Sequence, residues 1–134
     1  MIYKVVIKGR YYGNHTAPGW NDRIASSARH PKQGGRMEKD FLTVCIDAIR
    51  TQLRGVKLNI PVELRYVFYE PDKRRDLGNI DYIDKPFCDA LQKCGVLEND
   101  GQKEIPKLIF ELGETDKENP RIEVFISEVS NSES

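Results

Sequence analysis

Residues 61–102 read PVELRYVFYEPDKRRDLGNIDYIDKPFCDALQKCGVLENDGQ, and their pattern sets the fold class. Val62, Leu64, Tyr66 and Phe68 alternate with Glu63, Arg65, Val67 and Tyr69, which predicts a strand over 61–69. Pro71 ends it, because proline has no N–H to give to a ladder. Further on, Ile80, Ile83, Phe87, Leu91 and Cys94 recur at spacings of three and four, which predicts a helix within 80–94. Pro86 lies inside that pattern and would remove a backbone bond. The helix therefore either starts late, near Asp84, or bends at the proline. Gly95 is a natural stop.

Outward from this strand and helix the chain continues in the same style. Tyr3, Val5 and Ile7 share one face of a predicted strand over 2–8, with Lys4 and Lys8 on the other. Phe41, Val44, Cys45, Ala48 and Leu53 fall near one face of a helix over 37–54, and Gly55 closes it. Leu108, Phe110 and Leu112 predict a strand over 105–112, and Ile122, Val124 and Ile126 another over 121–127, joined by the turn GETDKENP. Residues 9–36 hold five glycines and two prolines and read as a long basic loop, and 128–134 read as a frayed tail. The order β–loop–α–β–α–β–β predicts one mixed α/β (α+β) domain over 1–134, with two main helices on a small sheet.

A chain of 134 residues buries roughly two-thirds of its unfolded surface, enough for one core. No apolar run approaches the roughly 20 residues of a membrane helix. The N-terminal residues lack a signal-peptide pattern, so a cytoplasmic protein with no membrane partner is expected. Cys45, Cys88 and Cys94 have no paired zinc spacing and are an odd number, so neither zinc nor a structural disulfide is expected; Cys45 and Cys88 read as small buried hydrophobes. The net charge is zero, but it is unevenly spread. Residues 1–36 carry seven bases against one acid, and residues 98–134 carry ten acids against four bases. A basic arm can track phosphates while acids elsewhere balance the sum. Tyr11, Tyr12 and Trp20 stand among those bases. They suit stacking on nucleic acid or packing onto the sheet, with Trp20 expected to pack.

Residues 70–102 gather Asp72, Asp76, Asp81, Asp84, Asp89, Glu98 and Asp100 beside Lys73, Arg74, Arg75, Lys85 and Lys93. Carboxylates next to cations suit a hard divalent metal together with a phosphate backbone. A solvated, charge-mixed helix with two loops is the plainer alternative. In that alternative Asp76 and Asp100 are turn residues, Asp81 and Asp84 complement a helix dipole, and Lys85 pairs with Asp81 or Asp89. Sequence spacing does not show whether Asp76 and Asp100 meet.

RRDLGN at 74–79, K-x-x-x-D-A-L at 85–91 and CGVLENDGQ at 94–102 together resemble the RusA family of Holliday-junction resolvases, of phage and prophage type. The family pattern is RRDLDN…K…DAL…AG…DD.Q, and the likeness covers most of the chain. It implies a homodimeric, mixed α/β endodeoxyribonuclease that resolves four-way DNA junctions by paired nicks, using Mg²⁺, with Mn²⁺ as a substitute. By position, Asp76 and Asp100 are implied as metal-binding and catalytic aspartates and Lys85 as the catalytic lysine. Asp89 matches a family acid of structural or catalytic role. Arg74 and Arg75 are implied as backbone-binding arginines, Asn79 matches a family asparagine, and Lys73 and Arg10 add cations for DNA.

The chain departs from the pattern at Gly78, where the family has a second metal-binding aspartate, and at Asn99, where the family has the first of two. The gap between Asn79 and Lys85 is also three residues longer than in short members, so Tyr82 competes with Lys85 in an ungapped alignment. Three readings of Gly78 stand open. Asp81 supplies the missing ligand; or Asp76, Asp100 and water suffice; or the chain binds branched DNA with weak or lost catalysis.

Overall fold

The computed structural model describes residues 1–129. The strands are β1 (Ile2–Lys8), β2 (Val62–Tyr69), β3 (Lys107–Leu112) and β4 (Arg121–Glu128), and the helices are α1 (Trp20–Arg29), α2 (Pro31–Gln52), one-turn α3 (Leu77–Ile80) and α4 (Asp84–Lys93). They form one four-stranded sheet in the order β1-β4-β2-β3. The last strand lies in the interior, antiparallel to both β1 and β2, while β3 runs parallel to β2 at the other edge. A parallel pair needs a long crossover, and α3 and α4 supply it. The fold is the expected mixed α/β architecture.

Register explains the core. Val5 opposes Val124, Tyr66 opposes both Val124 and Phe110, and Leu64 opposes Ile126, so these side chains share one face. That face packs with Phe41, Cys45 and Ile49 of α2 and with Phe87 and Leu91 of α4 in one buried cluster. Tyr66 is its centre: its ring stacks on Phe110 at 5.1 Å and meets Phe87 edge-on at 5.8 Å. Cys45 and Cys88 are buried among these residues, and burial pushes both thiols well up. The opposite face carries ion pairs instead, Arg65–Glu111 at 2.8 Å and Arg121–Glu123 at 2.9 Å.

The 9–36 segment corrects the expected loop. Residues 20–29 are helix α1, and α2 starts at Pro31, six residues before the expected 37. Proline suits the first position of a helix, whose N–H groups have no partner within the helix, and His30 caps it by accepting the Lys32 N–H at Nδ1, 3.2 Å away. Gly34 is one of the five glycines that made 9–36 read as a loop. A Cβ there would run into the Arg23 and Ser27 side chains of α1, so this glycine serves a close helix–helix approach. The Pro86 alternatives resolve as the late start: α4 begins at Asp84, with Pro86 in its first turn, after a 3₁₀ turn at Asp81–Ile83. Within the expected 128–134 tail, Glu128 ends β4 and the Val129 N–H donates to the Pro61 carbonyl; the remainder, SNSES, lies outside the described residues.

Candidate metal and nucleic-acid site

Carboxylates follow the crossover from its first residue. Asp76 occupies the N-cap position of α3 and lines a cavity beyond the end of β2 together with Glu70, Asp72, Lys73 and Glu114. Asp81 opens the 3₁₀ turn and accepts a 3.1 Å hydrogen bond from the Trp20 indole. Burial raises its pKa and the charge of Asp84 adds to this, while the indole bond opposes it. Asp84 starts α4 and accepts the Tyr66 phenol at 2.8 Å. Further along the helix, Asp89 is also raised, first by burial and then by the charges of Asp100 and Glu38, against Lys85 and Lys93. Asp100 is exposed on the loop after α4, and its charge adds to the rise at Asp89.

The structure places Asp81 and Asp84 at the two ends of the 3₁₀ turn that leads into α4. It does not gather Asp76, Asp81 and Asp100 into one cluster, and among the described residues no three His, Cys, Asp or Glu side chains lie close enough to hold an ion. The donors thus do not fit a cation caged by three carboxylates of one chain. They do fit the looser Mg²⁺ mode, in which one or two carboxylates act with water and substrate phosphate. Burial is the main cause of the rise at Asp81 and Asp89, and neighbouring carboxylates add to it; a cation beside them would relieve that added part.

Of the residues expected to contact DNA, Lys73, Arg74 and Arg10 are exposed, while Arg75 and Asn79 are engaged within the fold. Lys73 and Arg74 are exposed, Arg74 86% so at its side chain. Arg10 is exposed and donates to the Lys117 carbonyl. Lys85 is exposed, 3.7 Å from Glu38, whereas its competitor Tyr82 is buried under Trp20, ring centroids 4.8 Å apart, with its hydroxyl on Glu38. Arg75 corrects the sequence reading. Its guanidinium is only 10% exposed, forks onto Glu70 at 2.8 and 3.0 Å, and donates to the Ala17 carbonyl at 2.9 Å. Adjacent arginines look alike in sequence, but the buried Glu70 claims one of them. Asn79 is also engaged within the fold, where its Oδ1 accepts the Asn21 N–H at 2.9 Å in the first turn of α1.

Sequence reasoning missed Glu38. From α2 it reaches Lys85, Tyr82 and Arg23 and raises Asp89. No spacing signal marks it, because it joins the site only through the packing of α2 on α4. Among the described residues no helix is long and apolar enough to cross a membrane. Neither a protein-family model nor a curated protein matches the chain.

Proposed function

We propose that this chain is a Mg²⁺-dependent, structure-selective endodeoxyribonuclease that resolves four-way DNA junctions as a homodimer. The observation that carries this reading is the row of carboxylates along the crossover, Asp76, Asp81, Asp84 and Asp89, with Asp100 on the loop after α4 and exposed Lys73, Arg74 and Lys85 alongside. The RRDLGN, KPFCDAL and CGVLENDGQ segments support it by their resemblance to the RusA family. Asp76 and Asp100 are the residues that would hold Mg²⁺, with Asp81 as the substitute ligand and water and substrate phosphate completing the shell. Bound there, the ion supplies Lewis-acid polarisation of a phosphodiester and a more acidic water. Lys85 offsets charge on the phosphate, and Arg74 and Lys73 hold the backbone through screened, salt-sensitive contacts.

A second reading has its own observation. Gly78 carries no ligand, and the described carboxylates do not converge in threes, which suits a protein that binds branched DNA with weak or lost catalysis. The test is cleavage of a synthetic four-way junction with Mg²⁺ and with EDTA, by wild type, Asp76→Asn, Asp100→Asn and Gly78→Asp. Symmetric nicks that need Mg²⁺ and vanish in both Asn variants support the nuclease. Salt-sensitive junction binding without nicking, and activity gained in Gly78→Asp, would turn the assignment to the binding protein. Absence of salt-sensitive DNA binding would sink both.

A further inference from the structure

The cavity between α1, α2 and the segment before α1 plays no part in the site above. It has a volume of about 360 Å³, within the range of small-ligand pockets. Its floor is Met37 and Phe41, both buried. Its wall is Tyr11, 54% exposed, whose ring meets Phe41 edge-on at 6.4 Å. Gly9, at φ +116, lets that ring lie close: a Cβ there would sit 3.2 Å from it. Reciprocal backbone bonds between Tyr12 and His15, 3.0 and 3.1 Å, hold the segment in place. Around the mouth stand Arg29, Arg36 and Asp40, all exposed. None of the three has a side-chain hydrogen bond or ion pair among the described residues, so all three are free to meet a ligand.

We propose that this pocket receives one unpaired nucleotide of a DNA strand. The chemistry divides along the pocket. Tyr11, Phe41 and Met37 offer an apolar slot with an aromatic wall, on which any base can stack because every base has a π-face. Arg29 and Arg36 offer guanidinium forks to the phosphates on either side, and Asp40 offers an acceptor to a base N–H. The segment carrying the wall and the arginines is also the most basic part of the chain. Helix α2 joins this pocket to the acidic site, since it presents Met37, Asp40 and Phe41 to one and Glu38 to the other. A strand whose unpaired base is seated beside α2 would thus run past the carboxylates of α4. The inference rests on the nucleic-acid reading above but not on catalysis.

The test is binding in EDTA, by fluorescence anisotropy, to a duplex with one bulged thymidine and to the same duplex with an abasic bulge. Both carry the same phosphates, so their affinity ratio isolates the base. Wild type is expected to favour the base-bearing bulge by roughly tenfold, the scale of one base–aromatic stack. The ratio should fall to about one in Tyr11→Ala and persist in Tyr11→Phe, while Arg36→Gln weakens both duplexes alike and flattens the salt dependence. On wild type, 5-iododeoxyuridine in the bulge should photocrosslink to peptides containing Tyr11, Phe41 or Met37. A wild-type ratio near one, or a ratio unchanged in Tyr11→Ala with crosslinks elsewhere, overturns the pocket. Because no metal is present, the outcome is separable from the nuclease reading. Junction nicking without base preference leaves the nuclease and removes the pocket, and base preference without nicking does the reverse.

Discussion

Replacing Arg75 by alanine separates two roles that adjacent arginines share in sequence. Arg75 joins Glu70 at the end of β2, the Ala17 carbonyl before α1, and Asp22 of α1 at 3.7 Å. Both members of the central pair are buried, with 10% and 4% of their side chains exposed. Removing the guanidinium leaves the Glu70 carboxylate out of water with only His15, 3.3 Å away, beside it. Breaking a buried pair from one side costs about 3–5 kcal/mol, because the remaining charge is uncompensated. For a domain of this size that lowers Tm by about 10–20 °C. Arg74→Ala, by contrast, removes an exposed side chain whose nearest partner, Asp72, is 3.9 Å away, and such a change stays within about 0.5 kcal/mol.

The assay is urea unfolding followed by fluorescence of Trp20, the single tryptophan, which sits at the start of α1 and so reports on the element that Arg75 ties down. Arg75→Lys should be intermediate, since an ammonium keeps the charge but cannot fork onto the carboxylate. Glu70→Met with Arg75→Met should recover much of the loss, because no buried charge is then left alone. DNA affinity measured where each variant is folded should fall, with a shallower salt slope, for Arg74→Ala and not for Arg75→Ala. A stable Arg75→Ala variant with weakened, less salt-dependent DNA binding would refute the reasoning and restore Arg75 as a phosphate ligand.

Asp81 accepts the Trp20 indole N–H, so titrating Mg²⁺ should shift Trp20 emission if Asp81 turns toward the ion, and Asp81→Asn should abolish the shift; a spectrum insensitive to Mg²⁺ removes Asp81 from the ligands. Gln52 bonds both polar groups of Val6 at 2.7 Å, occupying part of the β1 edge, so Gln52→Ala should cost about 1 kcal/mol and raise self-association in light scattering through the exposed edge. Burial raises the Glu123 carboxyl, but Arg121 and Lys4 outweigh it and hold it below its ordinary 4.5; a lowered folded pKa gives stability that is present above the unfolded value and lost as pH falls through the folded one. The gap in urea midpoint between wild type and Arg121→Gln should accordingly be wide at pH 7 and narrow below about pH 4. Gly78→Asp should leave the unfolding free energy within about 0.5 kcal/mol of wild type and increase Mg²⁺ affinity measured by calorimetry; a folded variant with unchanged affinity would place position 78 away from the ion.

The four strands were legible because each alternates, and the residues that alternate are those the register sets on one face: Val5, Leu64, Tyr66, Val124. Strand order was not, since β4 enters between β1 and β2 only through long-range pairing that no local pattern encodes. Helix α1 was missed for a physical reason. In WNDRIASSAR the apolar Trp20, Ile24 and Ala28 stand at i, i+4 and i+8 but face outward, and Ser26 is its one buried residue. It is held by end contacts instead: the Gly19 N–H on Asp22 and the Asn79 carboxamide on Asn21. The candidate site shows the same division. Asp76, Asp81, Asp100 and Lys85 could be named from the sequence, but the entry of Glu38 from α2 and the capture of Arg75 by Glu70 are products of packing.

Gly78 is the point where backbone physics and chemistry can be weighed against each other. A glycine is required where φ is positive or where a neighbour fills the space of a Cβ. Neither holds here: position 78 lies inside α3, its φ is not positive, and a built Cβ meets nothing within 4 Å. Helical glycine is moreover disfavoured against alanine by roughly 1 kcal/mol. The contrast with Gly19 and Gly34 is direct, because at both of those a Cβ would collide with a side chain of a neighbouring element. Folding therefore gives no reason for the residue at 78. The position, two residues after Asp76, opens onto free space that would admit a carboxylate. The choice between the nuclease and the binding protein thus turns on a residue whose replacement leaves the fold alone, so that a change in metal affinity or nicking at Gly78→Asp would report on chemistry and not on stability.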